Sequence, residues 1–133
     1  MTQQQSISYG NLVLPFVAGE DLSTYQYKWV ALSADDTIVA CNNAADDPIG
    51  ILQDKPTSGQ VGSVMVFGMS RLKSDSGGLT RGDQVGTDAN ARGTAKTTDM
   101  DIAPARCILG ASGEDEIATV LVNCVGGRNQ LNV

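Results

Sequence analysis

Nowhere in this chain do ten residues place apolar side chains at i, i+3, i+4 and i+7 between two caps. Apolar residues instead recur with a period of two. The runs are short and are cut every 8–12 residues or so by glycine, aspartate, asparagine, serine or proline, which is the punctuation of an all-β sandwich or barrel. Tyr25, Tyr27 and Trp29 alternate with Gln26 and Lys28, and Val30-Ala31-Leu32 continues the run. Ala34-Asp35-Asp36 turns it back into Thr37–Cys41. Further strands are predicted at Ile49–Leu52, Gly62–Gly68, Gly82–Asp88, Arg92–Lys96, Ala105–Ala111 and Ile117–Cys124. Ser70–Lys73 is open to extending the Gly62 strand. Met69–Ser74 and Asp99–Arg106 are the stretches open to a short helix.

At 133 residues the chain suits one domain. Its apolar content is 41%, aromatics are few and glycines number 15, so the predicted core is thin and assembly has room to contribute stability. Residues 1–24 read as an N-terminal arm, 25–125 as the β domain and 126–133 as a polar tail. Within the arm, Leu12, Leu14 and Phe16 alternate with Asn11, Val13 and Pro15 but have no hairpin partner nearby, and Pro15 argues against a central strand.

The chain also looks duplicated. Val30, a hairpin, Ile49-Gly50, a turn with Gly59 and Val64-Met65-Val66 form one half. Val85, a hairpin, Leu109-Gly110, a turn with Gly113 and Val120-Leu121-Val122 form the other. Two such halves facing each other would close a small barrel, since a lone hairpin pair cannot bury its own face.

The net charge of −6 excludes a nucleic-acid or anionic-membrane partner, because the nine cations are scattered from Lys28 to Arg128 and form no basic stripe. No apolar run approaches the roughly 18 residues of a membrane span, and Met1–Ser8 lacks the basic start and apolar centre of a signal peptide. A cytoplasmic site of synthesis is expected. Cys41, Cys107 and Cys124 each sit in a strand-like run, where free cysteine most often behaves as a small buried apolar residue. A disulfide between two of them would require an oxidising compartment.

Catalytic chemistry finds little to work with. There is no histidine, which removes the commonest general base and metal ligand. The acid pairs Asp35-Asp36, Asp46-Asp47, Asp99 with Asp101, and Glu114-Asp115-Glu116 read as solvated turn formers. Asp83, Asp88 and Asn90 are the best candidates for calcium but match no calcium-loop pattern. Asp75-Ser76-Gly77-Gly78 lacks the lysine and helix start of a phosphate loop. No catalytic residue, cofactor or metal site is expected, and the chain is predicted not to be an enzyme.

Several segments resemble the capsid decoration, or cement, proteins of tailed bacteriophages. They are Trp29-Val30-Ala31-Leu32, Ile49-Gly50-Ile51-Leu52-Gln53-Asp54-Lys55-Pro56, Gly59 and Val64-Met65-Val66. In the second half they are Gly82-Asp83-Gln84-Val85 with Thr87-Asp88, Ile108-Leu109-Gly110-Ala111 and Thr119-Val120-Leu121-Val122. The likeness spans residues 28–124. It implies a homotrimer on the outside of an expanded head, partnered by the major capsid protein, that stabilises contacts between coat subunits. Leu12, Leu14, Phe16, Tyr25, Tyr27 and Trp29 are the expected interface residues, with ordinary core as the other reading of the three aromatics from Tyr25 on. The alternatives are another virion part such as a head-fibre base or tail protein, a carbohydrate-binding β module using Trp29, Tyr25 and Tyr27, and a histidine-free hydrolase using acids such as Asp83 or Asp88.

Overall fold

Nine strands account for the regular structure in a computed structural model that describes residues 10–126, 130 and 131. They are β1 (Leu12–Ala18), β2 (Trp29–Ala34), β3 (Thr37–Ala40), β4 (Gly50–Leu52), β5 (Val61–Lys73), β6 (Gln84–Thr87), β7 (Gly93–Ala95), β8 (Ala105–Leu109) and β9 (Ile117–Asn123). The all-β prediction holds. Met69–Ser74 is the end of the long β5, and Asp99–Arg106 is a loop running into β8, so neither stretch is helical. No helix among the described residues is long and apolar enough to cross a membrane.

Strands β1, β3, β2, β4 and β5 pair in that order, and β5 pairs back to β1, which closes a five-stranded barrel. The seam between β1 and β3 is parallel (Val17↔Thr37, Ala18↔Ile38). The C-terminal half of β5 then carries a second unit in the order β9, β8, β6, β7. A single parallel bridge, Ser74↔Gly93, returns β7 to the end of β5.

The two units repeat one plan with nearly constant spacing. Val30↔Ala40 in the first recurs as Val85↔Ala95 in the second, both 55 residues on. Val30↔Gly50 recurs as Val85↔Ala105, again 55 on. Val17↔Val61 recurs as Lys73↔Ile117, 56 on. Backbone strain repeats as well: Tyr27 and Gly82 (55 apart) both have positive φ, as do Asp36 and Ala91 (55) and Gly59 and Asp115 (56). The duplication expected from sequence is therefore present in the register, with two corrections. The counterpart of Gly50 in the second unit is Ala105, not Gly110. Each half also forms its own unit around a shared β5, instead of the two closing one barrel between them.

The predicted arm is corrected too. β1 lies along β5 from Leu12↔Phe67 to Val17↔Val61, and Leu22 is fully buried, so residues 12–22 are integral to the domain. Pro15 is tolerated because β3 reaches only Val17 and Ala18, leaving β1 with a neighbour on one side at the proline. Met1–Ser8, the glutamine-rich start, lies outside the described residues. In the predicted tail, Gln130 and Leu131 bond back to the Met100–Ile102 loop.

Buried residues of both units form one continuous cluster, and Trp29 is the largest among its fully buried side chains. In the first unit Val17 N–H donates to Asp36 O. The repeated positions are Lys73 and Ala91, but they do not meet in this way. Lys73 N–H donates to Tyr27 O at 2.8 Å, and Ala91 O accepts from Trp29 N–H at 2.8 Å. The Tyr27–Trp29 segment is thus wedged between β5 and the β6–β7 turn. The indole N–H completes the joint by donating to Gly86 O at 2.9 Å. Gly86 has no room for a side chain there, since a Cβ would collide with Ile102 O and the Lys96 stem.

Replacing Trp29 therefore tests the joint in two steps. Trp29→Ala should cost about 3–5 kcal/mol in denaturant unfolding, as for other buried aromatics. Trp29→Phe keeps much of the volume but strands the Gly86 carbonyl, and should cost about 1–3 kcal/mol. Equal stability of Trp29→Phe and wild type would show that the indole hydrogen bond contributes nothing.

Candidate interaction face

The acidic residues, 15 in all, lie outside the strands. Most of those that bond do so to turn backbone. Asp83 Oδ2 accepts from Thr80 N–H, and Asp88 Oδ1 accepts from Asn90 and Arg92 N–H, so of the three candidate calcium ligands the two aspartates cap different turns. Among the described residues no group of three or more histidine, cysteine, aspartate or glutamate side chains is placed to hold a metal. Asp115 bonds Arg92 Nε at 2.8 Å, which holds that carboxyl below its ordinary range and ties the β6–β7 turn to the β8–β9 turn.

The strands themselves carry only three charged residues: Arg71 and Lys73 in β5, and Arg106 in β8. All three lie on one face. Residues directly opposite in a ladder share a face. The register runs Met69↔Leu121↔Arg106↔Gln84 across β5, β9, β8 and β6. One step along, Arg71 meets Thr119 and Thr119 meets Leu109; next, Lys73 meets Ile117. At the other end Phe67 meets both Asn123 of β9 and Leu12 of β1. The intervening positions Ser70, Leu72, Ala118, Val120, Val122, Ala105 and Cys107 are buried, so these rows point outward.

This outer face is unusually apolar for solvent. Leu12, Phe67, Met69, Leu109, Ile117 and Leu121 are each 36–65% exposed. Scattered exposed hydrophobics are ordinary, but a contiguous set marks an interaction surface. A hollow bounded by Asn11, Phe67, Met69 and Leu121 lies within it. There Gly68, at φ 126°, lets Asn11 pack against the strand and accept from Met69 N–H at 3.2 Å.

The equivalent row of the first unit has the opposite fate. Trp29↔Ile51↔Met65↔Val13 occupies the positions that become Gln84, Arg106, Leu121 and Met69. Trp29, Ile51 and Met65 are buried, whereas Arg106, Leu121 and Met69 are exposed. Duplicated geometry thus serves internal packing in one half and presents a surface in the other.

Of the interface residues expected from sequence, Leu12 and Leu14 are exposed, and Leu12 joins this face. Phe16 and Tyr25 are half-buried against the core. Tyr25 lies under the Lys28 ammonium at 4.9 Å, and Tyr27 under the Arg71 guanidinium at 5.8 Å. Trp29 has no exposed surface and belongs to the core, so it can offer nothing to a partner or a sugar. Phe67, Met69, Leu109, Ile117 and Leu121 were not singled out by sequence. Their signal was alternation in which both phases are apolar, as in Val66-Phe67 and Val120-Leu121-Val122.

No protein-family model matches the sequence, and no curated protein matches it significantly. A solved structure does share the fold. The head fiber gp8.5 N base of bacteriophage phi29 aligns with a TM-score of 0.61 over 92% of this chain and 99% of that one, at 14% sequence identity. The likeness extends through both units, and at that identity it is a likeness of fold.

The three cysteines are free. Burial is the leading cause that pushes the Cys41 and Cys124 thiols up to about 12, and it raises Cys107 as well. The folded chain therefore retains protons that an unfolded chain releases above about pH 9, so stability should fall as pH rises from about 9 toward 12. At pH 8 a thiol reagent should label none of the three rapidly in the native protein and all three in denaturant. Rapid native labelling of Cys41 or Cys107 would contradict their burial.

Proposed function

We propose that this chain is a structural component of a bacteriophage head, seated on the outside of the capsid as a homotrimer, where it stabilises contacts between coat subunits of the expanded shell. The observation that carries this reading is the near-complete overlap of the fold with a phage head-fibre base, in both chains. The resemblance of residues 28–124 to cement proteins points the same way. An exposed apolar sheet face on a histidine-free chain fits work done by surfaces.

The physical role follows from linkage. A protein that binds only the expanded shell stabilises that form by mass action. In a trimer each weak contact makes the next effectively intramolecular, so small patches add up to firm attachment. A net charge of −6 keeps the exposed remainder soluble.

A second reading, the base of a head fibre, is favoured by the name of the structural neighbour itself. Electron microscopy of decorated heads separates the two: a cement protein lies flush between coat subunits, and a fibre base projects from the shell.

The test is co-sedimentation of purified protein with expanded and unexpanded heads of its source phage, alongside sedimentation equilibrium of the free protein. Saturable binding to expanded heads and a trimeric mass are expected. No binding to either form of head would end the capsid reading.

A further inference from the structure

We infer that the outer face of β5, β9 and β8 is the surface that docks on the coat protein, and that it recognises a coat surface carrying carboxylates around an apolar centre. This rests on the head-surface reading above and adds to it the contact face and the chemistry of the partner.

The argument is one of charge placement. In a chain with 15 acids and nine cations, this face carries Arg71, Lys73 and Arg106 and no acid. Among the described residues none of the three makes an ion pair, and the ion pairs that do form belong to Arg92. Cations on strands commonly guard an exposed edge against aggregation. That explanation does not cover Arg106, which pairs with Leu121 of β9 on one side and Gln84 of β6 on the other, although at Arg71 and Lys73 β5 has a strand neighbour, β9, on one side only. Arg71 lies two positions from Met69 on the same face and Arg106 directly opposite Leu121, so these two border the exposed apolar pair at the middle of the face, while Lys73 extends the positive side beside Ile117. An apolar centre with a charged rim is the anatomy of a docking surface, in which the centre supplies affinity and the rim supplies orientation.

The same charges argue against a second copy as the occupant. Two-fold packing through this face would set cations against cations, and like charges across an interface are destabilising. An acidic partner relieves that repulsion and desolvates Met69 and Leu121.

Point substitution is the right probe, since deletion up to Tyr25 would remove β1 and open the barrel. The full chain is compared with Arg71→Glu/Arg106→Glu, Met69→Ser/Leu121→Ser and the off-face control Lys55→Glu, each first shown to keep the wild-type thermal transition. Binding to expanded heads is then measured at low and high salt. The expected result is a loss of about tenfold or more for both face variants, none for the control, and a weaker salt dependence for the charge-reversed protein. Wild-type binding that the face variants match would overturn the docking face while leaving the head-surface reading intact. A face variant that changes the sedimentation mass of the free protein would reassign the face to contact between copies and overturn the coat partner. Failure of the wild type to bind heads would remove both readings together.

Discussion

The joint at Trp29 is the constraint on which the rest of the structure depends. Its backbone N–H and its indole N–H both reach across to the second unit, at Ala91 and Gly86, while its carbonyl accepts from Cys41 of the first. These bonds are made in a site with no solvent, where an unpaired polar group is costly and a paired one is strong. Unit two consequently gives up part of its own seam. Where the first barrel closes with two parallel pairs, the second has one bridge, because Tyr27 and Trp29 take the groups that would have made the other. Two copies of one plan become a single domain by this exchange of an internal seam for a shared one.

Once the units are joined in this way, their equivalent surfaces cannot stay equivalent. The row that contains Trp29, Ile51 and Met65 is buried in the first unit, and the matching row of the second is left facing solvent. The side chains have diverged accordingly, to Gln84, Arg106 and Leu121. Gln84 and Arg106 make the outer end of that row compatible with water. Leu121, beside Met69 at the inner end, remains apolar. The asymmetry within a duplicated frame leaves Phe67, Met69 and Leu121 as apolar neighbours around one exposed hollow.

Much of this was legible in the sequence. The hairpins from Val30 to Ala40 and from Val85 to Ala95 are local, so alternation and turn residues suffice to find them. The repeat was visible in Val30 and Val85 and in Val64-Met65-Val66 and Val120-Leu121-Val122, whose spacing the ladder reproduces. Glycine misled where it mattered by type alone: Gly50 was matched to Gly110, whereas position in the ladder equates it with Ala105. β1 was read as an arm because its partner, β5, is far along the chain and no local pattern encodes a distant pairing. The aromatic trio was half misread for a related reason. Alternation from Tyr25 to Trp29 resembles a strand, yet Tyr27 sits at φ 62° and the strand begins only at Trp29.

The candidate face was the least legible part, and its physics explains why. Sequence patterning shows which residues could be buried, but not which remain exposed when both phases of a strand are apolar. In β5 and β9 the inward phase fills the core and the outward phase is the surface, and only the register decides between them. The charges were equally hidden. Arg71, Lys73 and Arg106 looked scattered along the chain, and no basic stripe was apparent. Folding collects them on one face while every acid is left in a connection. An overall charge of −6 therefore says little about what this protein can bind, because the field a partner meets is set by the face it approaches. For this chain that face is apolar and positive, and a partner that fits it must be apolar and negative.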